Sequence, residues 1–571
     1  MSSVPFRKRL WTNVTRRDAI AMSLGGALAA ALIAGLAFSA SNAAGGTLDS
    51  KYGPLIAATN SGIVGSPVLR TPDDRARDAD LTPTQPEAPW VVVNSPTIPL
   101  DEYNQIKASM ANSPATAEPG AGTTVGPNVS VRGVNFAAAF QHENSVGTWP
   151  PDTDVAAGST QIVQTTDSSI DVWKKVSSGV PTHLASFSEN SFVGNADSLG
   201  DGRVLYDFAW GRWVILIDDF SNLSNSGLPE FFLAVSKTSN AAGSYFVYPV
   251  AINTSSSGLF FDYPQLGLDQ DAVLITGNWF QGNTFISPSA FAIAKARIYN
   301  GFGVGSGFSF SFPGASVGTL APPIVLAADQ DFADYFIAAP VGAGQTNILK
   351  FTMQRAGRTS TAFSGPVNIP VTSYSTPPPL APQTCSATNS HNLLDTLDGR
   401  FQSRSLQNGV LLWNAHTIAR NSTSPGVRWY EFNTSTNTVR QFGNSAESSS
   451  SFDFNPSIGS AAGDEAALNW TATDPHAATP HDAMMITAGR KATDPLGLMT
   501  PNTTPLVISS TCMTQNFDSL FGHQRWGAYS AVAVDSLGLT PTSFYWIVNE
   551  FTAGTSTTNF WKSEIARVAN P

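Results

Sequence analysis

A unit that recurs about every 60 residues from roughly residue 150 to the C-terminus constrains this 571-residue chain more than any other feature. Each copy reads as an alternating strand, a tight turn, a second strand ending on a polar residue, a loop and a third short strand. Tyr263 to Asn278 and Phe401 to Asn414 are two such hairpins. Seven second strands can be counted, beginning at Gln161, Arg212, Ala272, Tyr335, Val410, Ala466 and Phe544, each rich in Val, Ile, Leu, Phe, Tyr or Trp. Third strands follow at Phe232, Ala290, Val427 and Ala483, and Asn408-Gly409 is the strongest hairpin turn. Small antiparallel sheets repeated in this way bury their faces against one another, and radial closure protects their edges. The expected fold is therefore all-β, a seven-bladed β-propeller with a poorly ordered N-terminal extension. Asn128 to Phe136 precedes the first copy and is placed to close the ring as the outer strand of the last blade. A two-sheet sandwich array is the structural alternative.

Thr15-Arg16-Arg17-Asp18 followed by an Ala/Gly/Leu stretch and Ser41-Asn42-Ala43 reads as a twin-arginine export signal over residues 1–43. A general secretory signal or an uncleaved anchor are the alternatives, the latter because about 20 apolar residues span a bilayer. Cleavage after Ala43 removes Arg7, Lys8, Arg9, Arg16 and Arg17 against Asp18 alone, taking the net charge from −11 to −15. A field of that sign disfavours nucleic acid and anionic membranes, so no nucleic-acid partner is expected and membrane contact is left to the N-terminal segment. The expected location is periplasmic or extracellular. Residues 44–127, rich in Pro, Ala and Thr, read as a linker or prosegment whose removal leaves the core intact, with one short helix over Leu100 to Ala111 and a stray strand at Trp90. Residues 128–571 make the propeller. Cys385 and Cys512 are the only cysteines, and a disulfide or two free thiols are both open.

Pro150-Pro151-Asp152-Thr153, Phe261-Asp262-Tyr263-Pro264-Gln-Leu-Gly, Gly426-Val427-Arg428-Trp429-Tyr430-Glu431, Asp494-Pro495-Leu-Gly and Arg525-Trp526-Gly527-Ala528-Tyr529-Ser530-Ala531 together resemble a family of exported bacterial proteins that are expected to be sialidase-like β-propellers and have no agreed function. The resemblance covers about residues 148 to 568. Where that family has Arg-Trp-Gly-Asp-Tyr, this chain has Ala528, so no role of that aspartate carries over.

In a propeller the loops into the innermost strands and the ends of the second strands open on one rim around the axis. Those positions supply Asp152, Asp262, Tyr263, Arg525 and Trp526 from the loops, and Asn278, Trp279, Asn414, His416, Asn549 and Glu550 from the strand ends. The recurring Asn at Asn278, Asn414, Asn469 and Asn549 either satisfies local backbone groups or offers amides to sugar hydroxyls beside Trp279, Trp470 and Trp526. Glycoside hydrolysis needs two carboxyls about 5 to 10 Å apart, and Glu550 with Asp262 or Asp152 is the expected pair, with His416 and Arg525 as further catalytic candidates. A sialidase-type alternative uses Arg404, Arg490 and Arg525 to clamp a carboxylate and Tyr529 or Tyr263 as nucleophile.

No cofactor is certain, and calcium or zinc are the metals considered. His476, His481 and His523 are the metal candidates, with His142 and Glu143 nearby in a closed ring; solvated loop histidines that never meet are the plainer reading. Asp269-Gln-Asp271 is read as a hairpin turn before a calcium site. The expected partner is a glycan or another extracellular polymer, with a surface protein bound by a non-catalytic scaffold as the competing reading.

Overall fold

The computed structural model describes residues 54–56, 63–81, 96–111 and 136–569, apart from short stretches at 144–149, 168, 177–179, 221–229, 253–258, 306–307, 312–316, 327–332, 359–360, 462–463, 503, 536–543 and 556–557. The export segment 1–43, Trp90 and residues 128–135 lie outside it, as do the side chains of His142 and Glu143. Among the described residues no helix is long and apolar enough to cross a membrane.

Seven antiparallel sheets follow one another along the chain. Their innermost strands are Asp154–Ala157, Leu199–Asp207, Leu259–Leu268, Pro323–Val325, Ser405–Asn408, Phe452–Ser460 and Ala531–Val534, and successive ones neighbour each other until the last returns to the first. The molecule is a seven-bladed β-propeller. All seven second strands fall where the repeat places them: Gln161–Thr165, Arg212–Asp219, Ala272–Gln281, Ala333–Ala338, Leu411–Ala419, Ala466–Asp474 and Phe544–Thr555. The ring closes through Phe136–Glu143, which pairs antiparallel with Thr558–Ala569 as the outer strand of blade 7, a few residues later than the sequence suggests. Blade 4 departs from the pattern. Its inner strand, Pro323–Val325, touches its own blade only through the Ala321–Ile337 bridge and otherwise pairs in parallel with the inner strands of blades 3 and 5, because Pro322 and Pro323 have no N–H to give a ladder.

Both faces of each blade are buried, and the two-residue period of a strand explains how. In Arg212–Asp219, Val214 and Leu216 pack with Phe261, Ile275 and Phe291 of blade 3, while Trp213, Ile215 and Ile217 pack with Val163, Val172 and Phe192 on the blade 1 side. Such strands therefore read as continuous apolar runs, each large side chain contributing about 1.5–3 kcal/mol on burial. Gly409 has φ 58° and sits in the two-residue loop between paired Asn408 and Leu411, which is the hairpin expected there.

Parts of the extension are built into the propeller. Val68–Arg70 adds a strand to the edge of blade 2, and Leu55–Ile56 adds one to blade 4. Helix α1 (Pro72–Arg77) starts with a capping box between Thr71 and Asp74. Its Arg75 is 1% exposed, lies over the rings of Phe187 and Phe192, and donates to the carbonyls of Ala242 and Gly243. Helix α2 (Leu100–Ala111) matches the expected span and docks on the face described below. The expectation that residues 44–127 can be trimmed without loss is therefore revised for these docked pieces. Cys385 and Cys512 form a disulfide with Cα atoms 6.3 Å apart, joining the loop between blades 4 and 5 to the loop between blades 6 and 7.

Candidate functional site

The inner strands of blades 2, 3 and 6 share one irregularity. Register shifts at Gly200/Arg203, Asp262/Gln265 and Phe454/Ser457 each extrude two residues, and the first of each pair, Asp201, Tyr263 and Asn455, is left-handed with φ between 51° and 59°. Asp152, leading into blade 1, and Leu397, before blade 5, also have positive φ. Asp and Asn adopt this conformation readily, whereas Tyr263 stores strain that the surrounding contacts must offset. Bulges re-aim side chains, and here they turn polar groups toward the axis.

These groups meet around Gly527-Ala528-Tyr529. The Ala528 N–H donates to Asp152 Oδ1, Tyr263 Oη donates to the Ala528 carbonyl at 3.0 Å, and Asn455 Nδ2 donates to the Gly527 carbonyl. Tyr529 Oη donates to Asp201 Oδ2 at 2.8 Å. The Tyr263 and Tyr529 rings stack with centroids 4.6 Å apart, and each carries a guanidinium: Arg400 at 4.4 Å from the Tyr263 ring and Arg203 at 4.1 Å from the Tyr529 ring. Desolvated cation–π pairs of this kind contribute about 2 kcal/mol each. Three of the sequence signatures, at residues 150–153, 261–267 and 525–531, thus converge on one end of the axis.

A second layer closes the axis further in. Arg404, preceding the blade 5 inner strand, reaches across to Asp154 of blade 1 in a bidentate pair, Nη1 to Oδ2 at 2.6 Å and Nη2 to Oδ1 at 2.9 Å. Arg203 Nε lies 3.6 Å from the same carboxylate, and Gln265 donates to the Gln402 carbonyl. Side chains therefore cross and fill the axis at this level. The carboxylate that Arg404 clamps is the protein's own, which removes it from a substrate-binding part in this state.

The same region concentrates buried acids. Ligand oxygens of Asp152, Asp167 and Asp201 all lie within 4.8 Å of one another. Burial pushes the Asp152 carboxyl up to about 6, opposed by the Ala528 N–H. Burial, and then neighbouring carboxylates, push Asp167, Asp201, Glu189, Asp218 and Glu550 well above the usual range. Carboxyls whose pKa burial raises hold their proton to higher pH and are candidate proton donors.

Glu550 and Asp262 belong to this assembly. The Glu550 carboxylate packs on Gly527, where a Cβ would lie 2.3 Å from Oε1, and is electrostatically coupled to Asp152. Asp262 is fully buried opposite Asn278, and its charge acts on Asp201 and Asp218. Arg525 is half-buried, its guanidinium 5.8 Å from the Phe521 ring, and its charge reaches Asp152.

Other candidates stand apart. His416 is a core residue of blade 5, its Nδ1 2.9 Å from the Gly399 carbonyl and its ring boxed by Tyr374 and Phe401. Burial holds it neutral, its pKa down to about 3, so it has no route to a substrate proton. Trp279, Trp470 and Trp526 are buried, their indole N–H groups donating to Ser289, Asp453 and Thr471, and offer no stacking platform. Asn278 and Asn414 brace neighbouring strands, donating to Thr319 Oγ1 and the Ser403 carbonyl, and Asn549 accepts from the Glu550 N–H. His476 is exposed, His481 half-buried, and His523 is buried 3.5 Å from Asp395; among the described residues only the three aspartates form a group of metal-ligand type. Asp269 closes its own turn by accepting from the Asp271 N–H, as a hairpin reading requires. Asp201 and Glu189 were not singled out from the sequence. The signal that marks Asp201 is its position between Gly200 and Gly202.

A cap covers this end of the axis. The loops 375–404 and 509–530 interlock through the Leu394–Gln524 bridge and the disulfide. The segment before α2 and α2 itself lie on them: Thr97 donates to Asp398, Tyr103 Oη to Asp395 at 2.6 Å, and Lys107 Nζ to the Leu397 carbonyl at 2.8 Å. Asp398 in turn binds Arg400, which carries Tyr263.

No protein-family model matches the chain, and no curated protein does. Among solved structures it is similar to an exo-β-1,3-galactanase from Phanerochaete chrysosporium, at 9% identity and TM-score 0.30 over 75% of this chain and 99% of that one. The parainfluenza virus 5 hemagglutinin-neuraminidase ectodomain matches at 10% and 0.33, over 85% and 95%. An α-L-arabinofuranosidase from Fusarium graminearum matches at 8% and 0.33, over 76% and 98%. Likeness at these scores carries no argument about this chain's substrate or activity, which rest on the axial residues.

Proposed function

We propose that this chain is an exported β-propeller that binds a glycan at the capped end of its axis and hydrolyses it there. The observation that carries this reading is the meeting of Glu550, Asp262 and Asp152 with the Tyr263–Tyr529 stack and its two guanidinium groups at one end of the axis. In this reading Glu550, its carboxyl pushed up by burial, donates a proton to the leaving oxygen. Asp262 is the second carboxyl, and Arg525 with Tyr263 orients the sugar. All of these groups except Arg525 are buried, so turnover requires the cap of α2 and the two loops to open. Glu550→Gln is expected to abolish release of sugar from a polysaccharide that the wild type cleaves, with Tm within about 2 °C of wild type. Unchanged release would sink the assignment.

The filled axis favours a second reading, a non-catalytic scaffold for a surface protein. Exposed Trp210 and Phe302, on turns of blades 2 and 3 that flank Tyr299, are the apolar side chains such a partner would cover. Trp210→Ala with Phe302→Ala abolishing capture of a partner, with glycan binding absent from the wild type, would favour it.

A further inference from the structure

We propose that Asp152, Asp167 and Asp201, with Glu189 beside them, form a calcium site at the capped end of the axis between blades 1 and 2. Each aspartate already has one oxygen held by a donor. Asp152 Oδ1 accepts from the Ala528 N–H, Asp167 Oδ1 from the Asp201 N–H at 2.8 Å, and Asp201 Oδ2 from Tyr529 Oη at 2.8 Å. These bonds orient the carboxylates toward one another as like charges would not do alone. Asp201 Oδ1 has no partner among the described residues, although the residue is fully buried.

Glu189 supplies an independent sign of a missing ligand. It opens the one-turn helix Glu189–Val193, is 2% exposed, and neither carboxylate oxygen has a hydrogen-bond partner among the described residues. Its Oε1 presses on Gly202, where a Cβ would come within 2.7 Å; the Asp201 charge acts on it, and its own charge acts on Asp167. Glu189 is thus a buried carboxyl coupled to Asp201 and Asp167, and a bound cation would supply the counter-charge that its ionised form needs. Arg203, whose charge acts on Asp152 and Asp201, is also engaged with Asp154, Gln265 and the Tyr529 ring.

The donor set identifies the ion. All oxygens and no nitrogen or sulfur select a hard cation over zinc, and three or four protein carboxylates, more than magnesium takes while keeping its waters, suit calcium. Asp167 is half-buried, which gives an ion a way in.

The site is independent of whether a glycan is turned over, so its test uses no glycan. The full chain, stripped with EDTA and passed into chelator-free buffer, is titrated with CaCl2 by calorimetry, and bound metal is counted by plasma mass spectrometry. One calcium per chain with Kd below about 1 mM is expected, with a rise in Tm that grows with calcium concentration. Glu189→Gln should weaken binding at least about tenfold and Asp201→Asn abolish it, with Asp167→Asn standing in if Asp201→Asn does not fold. Folded wild type that binds no calcium and keeps its Tm, tighter binding of zinc than calcium, or calcium binding unaffected by these variants would each overturn the proposal.

Discussion

Truncating Arg404 to alanine removes a guanidinium that ties blade 5 to blade 1 across the axis. Asp154, fully buried, would keep its bonds from the Val155 and Val204 N–H groups, while its nearest remaining cation, Arg203 Nε, stands 3.6 Å away. Breaking a buried pair by removing one partner costs about 3–5 kcal/mol, because the other charge is left uncompensated. For a cooperative unit of this size that corresponds to a fall in Tm of about 3 to 6 °C. Calorimetry of the wild type, Arg404→Ala, Asp154→Ala and the double variant measures both the loss and the coupling. The double variant should be less destabilised than the sum of the two single variants by more than about 2 kcal/mol. A loss below about 1 kcal/mol, or additive single losses, would mean that the axis is not closed by this pair.

Three other perturbations test other parts of the structure. Gly527→Ala drives a methyl to within 2.3 Å of Glu550 Oε1, so Tm should drop by the equivalent of about 1–3 kcal/mol, and adding the shorter Glu550→Asp should recover part of it; an unchanged Tm would place the Glu550 carboxylate elsewhere. His416 is held down to about 3 by burial, below its ordinary value, so the unfolded chain takes up a proton that the folded chain refuses. Its stability contribution is fully present above about pH 6.5 and falls by about 1.4 kcal/mol per pH unit below it, about 2 kcal/mol by pH 5. His416→Gln should flatten the stability–pH curve by that slope, and parallel curves would contradict the burial. Arg75→Ala empties a guanidinium site lined by Phe187, Phe192 and two carbonyls, and should lower Tm and speed proteolysis of residues 63–81; equal cleavage rates would show that this part of the extension is not docked.

The blades were legible because burial on both faces of each sheet forces a continuous apolar run in the second strand, as in Trp213 to Ile217, and turn residues punctuate the runs. The blade 4 inner strand was not, since Pro322 and Pro323 reduce it to a bridge between its neighbours. Of the positions read as one rim, Asp152, Asp262, Tyr263 and Glu550 lie in one network of contacts and coupled charges. Their burial was not foreseeable from local pattern. It depends on bulges that turn Asp201, Tyr263 and Asn455 inward, and on partners such as Arg404 and Asp154 that lie 250 residues apart. The tryptophans and His416 misled for a related reason: aromatic and polar residues at strand ends look alike whether they face a ligand or a neighbouring blade.

Product release from a panel of polysaccharides and glycoconjugates, followed by mass spectrometry with the purified full chain, tests the central claim most directly. The account predicts oligosaccharides or monosaccharides released by the wild type and none by Glu550→Gln or Asp262→Asn. A folded wild type that releases nothing from any of them, with the α2 cap in place or cleaved away, would contradict it.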